Sequence, residues 1–199
     1  AEYVDVYMLH AGGVKGETLR EVWQGMERLV DMGRVRSLGV SNFGVEELEA
    51  LWEIARIKPV YLQNIFKVYK QGEQILGSGK VGVLEWARSH AMVMVGYSGI
   101  NSWPHMLPPL QDPHVLAIAK AKGRTASQVL HRWALQQGVA VIPKASSRDR
   151  IRENLQLLDF ELAPAEMALL GGLATLSESN HDQVRPAWLP DVYELAAAR

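Results

Sequence analysis

Short runs of β-branched and aliphatic residues alternate along the chain with longer segments whose apolar residues recur every three or four positions. Five runs have the composition and length of β-strands: VDVYMLH (4–10), RVRSLGVSN (34–42), PVYLQNIF (59–66), AMVMVGYS (91–98) and VAVIPK (139–144). Helical segments lie between consecutive strands. This order predicts a parallel sheet with its helices packed outside it.

The helices are predicted from their capping signals and apolar stripes. Two helices are predicted to follow capping boxes: one opens at Thr18–Glu21 and ends at Gly33, and one opens at Thr125–Gln128 and ends at Gly138. A third is predicted from about Val45 to before Pro59. A fourth runs from about Arg148 to Leu157, capped by Ser146 or Ser147, and a fifth opens at Pro164. The sequence contains no linker or low-complexity stretch that would divide these elements into separate domains.

Composition narrows the class of protein. The 199 residues are 48% hydrophobic, with 21 basic and 22 acidic side chains and no cysteine. The balanced charge gives no reason to expect nucleic acid or a membrane surface as partner, and the absence of cysteine excludes disulfides and thiolate metal sites. No run approaches the roughly 18 apolar residues of a membrane span. We therefore expect a cytoplasmic globular protein.

Two parallel architectures compete: an open doubly wound sheet and a (β/α)8 barrel. The turn after the first strand, HAGGVKG (10–16), lacks the GxGxxG spacing that a dinucleotide-binding open sheet needs. In barrels the chemistry lies at the carboxyl ends of the strands, and all five predicted strands end in polar residues: His10, Ser41 and Asn42, Gln63 and Asn64, Tyr97 and Ser98, and Lys144. This clustering favours the barrel.

Five sequence blocks resemble the aldo-keto reductase family, in that family's order and approximate spacing. They are YVDVYMLH, GRVRSLGVSNF (33–43), PVYLQNIF, VGYS and VIPKASSRDRIRENLQLLDFEL (141–162), and the match runs from residue 2 to about 170. The resemblance implies a TIM-type (β/α)8 barrel, incomplete here, with about five βα units that correspond to strands 4 to 8. We expect one partial barrel domain over residues 1–199, with residues 175–199 as a carboxyl-terminal tail or loop.

The resemblance also implies a role for particular residues. His10 would be the active-site histidine that helps to hold the substrate carbonyl. The remaining residues would bind the cofactor: Ser41, Asn42 and Gln63 at the nicotinamide carboxamide, Tyr97 by stacking on the nicotinamide ring, Lys144 and Arg150 at the adenosine 2′-phosphate, and Asn154 at the adenine. Ser98 is also expected to bind the cofactor.

The chemistry of these side chains agrees with those roles. A carboxamide needs a donor and an acceptor side by side, which serine and an amide side chain supply, and a flat ring is well served by an aromatic face. A phosphate favours fixed positive charge near helix-terminal amides, and Lys144 and Arg150 flank a predicted helix start. The expected cofactor is therefore NADP, and the expected substrate is a small-molecule aldehyde or ketone that hydride transfer reduces to an alcohol.

Three departures from the family pattern leave two alternative functions open. Ala11–Gly13 stand where the family usually has a bulky aromatic residue and a proline, and Leu62 precedes Gln63 where an asparagine is usual. The family's catalytic tyrosine, aspartate and lysine precede the histidine strand, and this sequence begins at that strand. We expect a truncated aldo-keto reductase, with a catalytically inactive binding or interaction module as the alternative.

Two further expectations follow from these patterns. Open sheet edges would favour self-association of the truncated chain. The histidines other than His10 show no paired metal-ligand spacing, so the sequence predicts no metal site. Against the functional roles stand structural ones: His10 as a hydrogen-bonded strand end, Ser41 and Asn42 as a turn or helix cap, Tyr97 as core, and Lys144 and Arg150 as a solvated face.

Overall fold

A computed structural model describes residues 2–10, 13, 15–71, 82–101 and 108–173 of the chain. In these ranges the strands are Val4–Leu9 (β1), Val35–Ser41 (β2), Tyr61–Lys67 (β3), Lys70–Gln71 (β4), Val93–Tyr97 (β5) and Ala140–Val141 (β6). The helices are Gly16–Asp31 (α1), Val45–Ile54 (α2), Val83–Ser89 (α3), Pro113–Lys122 (α4), Ala126–Gln136 (α5), Arg148–Leu155 (α6) and Pro164–Gly172 (α7). The predicted tail at 175–199 lies outside the described residues.

The chain divides into two compact units. The first comprises Ala1–Ile65 and Gly72–Gly96, and the second comprises Phe66–Gln71 and Tyr97–Arg199. The chain passes between the units three times, after residues 65, 71 and 96. The first and last of these points lie within β3 and β5, and the second lies at the end of β4. Each unit is described below by itself.

The first unit is built on a parallel sheet. β1 pairs in parallel with β2, and β2 with β3, so that Leu9 lies opposite Val40 and Ser41 opposite Gln63. The strands approach very closely at Gly39, where an added Cβ would lie 2.8 Å from the Met8 side chain. Any larger residue there would force the strands apart, since real Cβ atoms do not approach so near.

Helices α1, α2 and α3 cover this sheet with apolar side chains. The core of the unit includes these fully buried residues: Leu38, Val40, Leu48, Leu51, Leu62 and Ala87. Trp23 of α1 is 1% exposed, and its indole N–H donates to the carbonyl of Ile57 at 3.0 Å. A large aromatic side chain is thereby buried with its one polar atom satisfied.

The second unit packs α4, α5 and α7 around the end of β3. The ring of Phe66 stacks on that of Trp133 of α5, with centroids 5.1 Å apart. β4 pairs antiparallel with the end of β3, which places Phe66 opposite Gln71. The Gln71 side chain donates to the carbonyl of Gly171 at 2.9 Å, which fastens this hairpin to the end of α7.

All five predicted strands are present, and their bounds differ from the predicted ones by a few residues. The last is the shortest, because only Ala140 and Val141 of the run 139–144 form ladder bonds. The predictions of a helix at Val45, of a capping box at Thr125 and of a helix opening at Pro164 are confirmed. No helix in the described ranges has the length and apolar character needed to cross a membrane.

The predicted capping box at Thr18 is wrong. Helix α1 already begins at Gly16 and its N-cap residue is Lys15, which forms no side-chain capping hydrogen bond. Thr18 therefore lies inside the first turn, where its hydroxyl cannot act as the N-cap. The sequence pattern identified the helix but not its first residue.

Candidate functional site

The first unit brings together the four candidate residues at the ends of its first three strands. In a parallel sheet all carboxyl ends lie at one edge, and Ser41 is directly opposite Gln63. The Ser41 hydroxyl donates to the Gln63 carbonyl at 2.7 Å, and the Asn42 backbone N–H donates to the same oxygen at 3.1 Å. The ends of β2 and β3 are thus locked in register.

Asn42 connects this pair to the end of β1. Its side-chain amide donates to the backbone carbonyl of His10 at 2.9 Å and to the Ser41 hydroxyl at 3.2 Å. The backbone of Asn42 is left-handed, with φ of 60°. Non-glycine residues adopt this conformation at a cost, and such outliers concentrate at functional sites.

The side chains of His10 and Gln63 differ in their surroundings. His10 is exposed, and its imidazole forms no hydrogen bond with any described residue. The Gln63 side chain is half-buried, and its amide likewise has no hydrogen-bond partner within the described ranges. Both groups keep their donor and acceptor capacity at the edge where the strands end.

Two supporting residues had no role assigned from the sequence, although Asn64 was among the polar residues predicted at the strand ends. Glu47 accepts hydrogen bonds from the backbone N–H groups of Gly13 and Gly44, both at 2.9 Å. Asn64, fully buried, bonds to both backbone groups of Phe43, donating to its carbonyl at 2.8 Å and accepting from its N–H at 3.3 Å. The position of Glu47, three residues after the N-cap of α2, was a signal for the first role.

In the second unit, Tyr97 and Ser98 lie at the end of β5. Tyr97 is half-buried, and burial raises the pKa of its phenol, so the group is protonated at neutral pH. Ser98 has a left-handed backbone with φ of 56°, and its carbonyl accepts a hydrogen bond from the Asn101 N–H at 3.2 Å. This strand end has the same kind of strained turn that Asn42 forms in the first unit.

The segment after β6 holds the remaining candidates of the second unit. Lys144 and Arg150 are exposed, and neither side chain forms an ion pair with a described residue. The Ser147 hydroxyl accepts from the Arg150 N–H at 3.3 Å, so Ser147, and not Ser146, caps α6. Asn154 is half-buried on the last turn of this helix. Two cations therefore accompany a helix N-terminus, which is an arrangement suited to anions.

Metal chemistry finds no support in the residues that the structure describes. Within those ranges, no three histidine, aspartate or glutamate side chains are grouped as a metal ion would require. The polar groups at the strand ends are hydroxyl, amide, imidazole and phenol groups, which suit hydrogen bonding to an organic ligand.

Comparison with known proteins identifies the class to which this fold and these strand ends belong. The family model described as Aldo/keto reductase family matches residues 1–102 and 109–174. The chain belongs to the aldo/keto reductase family. The prediction of an incomplete (β/α)8 barrel of that family is confirmed by this match and by the structural neighbours.

Individual relatives show how much of the family's length is represented. An aldo-keto reductase of Mycolicibacterium vanbaalenii is 35% identical over 173 residues, which cover 86% of this chain and 57% of that protein. A probable NAD(P)H-dependent D-xylose reductase of Emericella nidulans is 34% identical, with 78% of this chain and 50% of that protein covered. Aldo-keto reductase family 1 member A1 of Xenopus tropicalis is 30% identical, with 86% and 58% covered.

A solved structure is likewise covered only in part by this chain. An aldo/keto reductase from Brucella melitensis superposes with a TM-score of 0.74 at 27% identity, covering 87% of this chain and 62% of that one. The chain thus spans between half and three fifths of the length of these curated relatives.

Proposed function

We propose that this chain is the carboxyl-terminal part of a cytoplasmic, NADP-dependent aldo-keto reductase that reduces aldehydes or ketones to alcohols. The observation that carries the proposal is the hydrogen-bonded cluster of Ser41, Asn42 and Gln63 at one edge of a parallel sheet. These polar groups end strands that are otherwise apolar, and strand ends of this kind hold the chemistry in barrel enzymes. Membership of the family supports the reaction class.

The residues present fit a nicotinamide dinucleotide. The Gln63 amide offers a donor and an acceptor without a described partner, as a carboxamide requires. The phenol of Tyr97 is half-buried and offers a flat face to a ring. When bound, the reduced nicotinamide supplies the hydride.

The choice of NADP over NAD rests on Lys144 and Arg150. Their exposed cations, without described acidic partners, lie in the segment that opens α6 at its capped N-terminus. A 2′-phosphate would gain charge-assisted hydrogen bonds there that NAD cannot form. Asn154, on the last turn of the same helix, is assigned to the adenine, and Ser98 to the ring end of the nucleotide with Tyr97.

His10 is assigned to the substrate. An imidazole at the end of β1, with its polar atoms unused by described residues, can donate a hydrogen bond to a carbonyl oxygen and so orient it. Such a bond strengthens as negative charge develops on that oxygen. The proposed partner is accordingly a small-molecule carbonyl compound.

A fluorescence titration of the 199-residue chain with NADPH and with NADH tests the proposal. The wild type, Lys144→Ala and Arg150→Ala are compared with Arg152→Ala, which removes a cation of the same helix that pairs with Asp149 at 3.4 Å. Loss of one charge-assisted phosphate bond costs about 1.5–3 kcal/mol, so we expect NADPH affinity to fall by at least about tenfold in the first two variants.

The other outcomes of this titration are also informative. The affinity of Lys144→Ala and Arg150→Ala for NADH should equal that of the wild type. Arg152→Ala should bind both cofactors with wild-type affinity. Equal affinity for both cofactors, unchanged by either substitution, would contradict the phosphate assignment.

A further inference from the structure

The backbone that follows Tyr97 and Ser98 lies beside a buried histidine. A Cβ built on Gly99 would lie 3.4 Å from the Phe66 carbonyl oxygen, and 3.7 and 3.8 Å from Nδ1 and Cε1 of His131. At these distances a Cβ would make ordinary van der Waals contacts, so the space beside Gly99 is the size of a methyl group and is bounded by one edge of the imidazole ring and one backbone carbonyl. All of these atoms belong to the second unit.

His131 is held in a nonpolar setting on α5. Its side chain is 4% exposed, and its Nε2 has no hydrogen-bond partner in the described ranges. Burial lowers its pKa to about 4, so the ring is neutral at physiological pH. Leaving a buried polar atom without a partner costs stability, so an apolar side chain would be the more stable choice at this position.

Helix α5 itself is well anchored. Its N-terminus is closed by the capping box of Thr125 and Gln128, and Gln128 also donates to the Glu153 carbonyl of α6 at 3.1 Å. Further along, Gln136 bonds to both backbone groups of Leu162, at 2.7 and 3.0 Å. Phe66, whose carbonyl also bounds the space beside Gly99, is held to this helix by the stacking of its ring on Trp133.

Helix α5 is therefore close to two groups of candidate residues. His131 lies beside Gly99, which follows Tyr97 and Ser98, and Gln128 bonds to Glu153, which precedes Asn154. A binding loop retains its geometry when the elements behind it are rigid and packed. The left-handed Ser98 is a strained position that needs such support.

We infer that His131 is a positioning residue for the nucleotide: its ring bounds the space beside Gly99, limits the movement of the turn of residues 98–101 and so maintains the placement of Tyr97 and Ser98. The inference rests on the proposed function for the identity of the ligand, but the contact itself can be tested without any ligand. His131 is a buried residue outside the candidate site, and it would affect binding by positioning the backbone of this turn.

Amide hydrogen exchange at Asn101 measures the positioning directly. The N–H of Asn101 closes the turn by donating to the Ser98 carbonyl, so its exchange rate reports on that turn. We compare wild type with His131→Ala, with His131→Phe, which keeps a ring, and with Leu130→Ala, which empties a buried site on the same helix. Exchange at Asn101 should be about tenfold faster in His131→Ala than in Leu130→Ala, and nearly unchanged in His131→Phe.

Binding measurements then connect the turn to the nucleotide. NADPH carries the nicotinamide, whereas 2′,5′-ADP carries only the adenosine phosphates that are assigned to Lys144 and Arg150. In His131→Ala the dissociation constant for NADPH should rise about tenfold while that for 2′,5′-ADP stays within about twofold. His131→Phe should restore NADPH affinity.

The outcomes separate this inference from the proposed function. Failure of the wild type to bind NADPH would overturn the proposed function, and Asn101 exchange would still decide whether His131 fixes the turn. Equal exchange rates in His131→Ala and Leu130→Ala would overturn the positioning role. Equal weakening of NADPH and 2′,5′-ADP would show a general loss of structure and overturn it as well.

Discussion

The side-chain amide of Asn42 donates a 2.9 Å hydrogen bond to the backbone carbonyl of His10, and this bond joins the ends of β1 and β2. Because it uses the main chain of His10, the imidazole itself is left for other contacts. Asn42 makes this bond from a left-handed backbone conformation, with φ of 60°. A strained residue is thus retained where two candidate site residues must be held in register.

At position 42 a glycine variant should be more stable than an alanine variant, which is the reverse of the usual order. Asn42→Ala loses the bonds to His10 and Ser41 and keeps a Cβ in the left-handed region, whereas Asn42→Gly loses the same bonds but relieves the strain. We expect the glycine variant to be the more stable of the two by about 1 kcal/mol. Urea unfolding followed by circular dichroism measures the difference.

The control for this reversal is Glu49, an exposed residue in the middle of α2. There Glu49→Ala should exceed Glu49→Gly in stability by about 1 kcal/mol, as in any helix interior. If alanine is also the more stable residue at position 42, the strain argument fails.

Tyr69 should contribute to stability through its hydrogen bond to the buried carboxylate of Asp112. Its hydroxyl donates to Asp112 at 2.7 Å, and Asp112 also accepts from His114 while it caps α4. Burial by itself raises the pKa of Asp112, but the hydrogen bonds from His114 and Tyr69 outweigh it, so the pKa is lowered. A group with a depressed pKa stabilises the fold above its unfolded-state pKa, and this contribution is lost as the pH falls through the folded value.

At pH 7 the carboxylate is therefore charged, and Tyr69→Phe should lower the free energy of unfolding by about 1.5–3 kcal/mol. Tyr61→Phe is the matched control, because the Tyr61 hydroxyl has no described hydrogen-bond partner. Coincident urea midpoints for the two variants would show that the bond to Asp112 contributes nothing measurable.

Much of this arrangement could be predicted from local sequence signals. Thr125 and Gln128 specify a helix start by themselves, and the alternation of helical and strand-like segments predicts parallel pairing. The polar residues that end β1, β2 and β3 could be placed at one edge because parallel strands share that edge. The interpretation of these residues as a cofactor site stays a prediction.

Other features depend on contacts between distant parts of the chain. Position 131 is one residue of an ordinary helical pattern, and only the structure places it against Gly99, 32 positions earlier. Likewise, the bonds of Asn64 to Phe43 and the two-residue strand β4 carry no periodic signal. A pattern of single residues cannot encode which distant backbone atom a side chain meets.

His131 should make stability depend on pH. Its pKa is lowered from 6.5 to about 4 by burial, so the unfolded chain takes up a proton more readily than the folded one. Stability is then fully present above about pH 6.5 and falls as the pH drops towards 4. Between pH 7.5 and pH 5 this one group should remove about 2 kcal/mol.

Comparing wild type with His131→Phe isolates the contribution of His131 to the pH dependence of stability, because every other titrating group is common to both proteins. The difference in unfolding free energy between pH 7.5 and pH 5, measured in urea, should be smaller in His131→Phe by that amount. Parallel pH profiles for the two proteins would mean that His131 is not buried as a neutral ring.

The open edge of β1, which has exposed apolar side chains on both faces of the strand, should cause self-association of the 199-residue chain. Val4 and Tyr7 are 46% and 48% exposed, and β1 has only β2 as a ladder partner in the described part of the chain. Such an edge offers unpaired backbone groups and apolar side chains to a second copy. Light scattering after size exclusion should detect dimers or larger species.

A charge on the edge should suppress this association. Val4→Lys is expected to shift the chain towards monomer, while Met32→Lys, which places the same charge at an exposed apolar residue that is not in a strand, should leave the distribution unchanged. A wild type that elutes as a monomer at all concentrations would contradict this prediction.

Glu47 has a consequence for how the loops at the strand ends can vary. One carboxylate accepts from Gly13, after β1, and from Gly44, after β2, with one oxygen for each. Insertions or deletions in either loop are therefore mechanically coupled to the other, because the carboxylate cannot follow both. Any redesign of the loop after His10 would therefore have to exchange residues 11–14 and residues 43–47 together between homologous proteins.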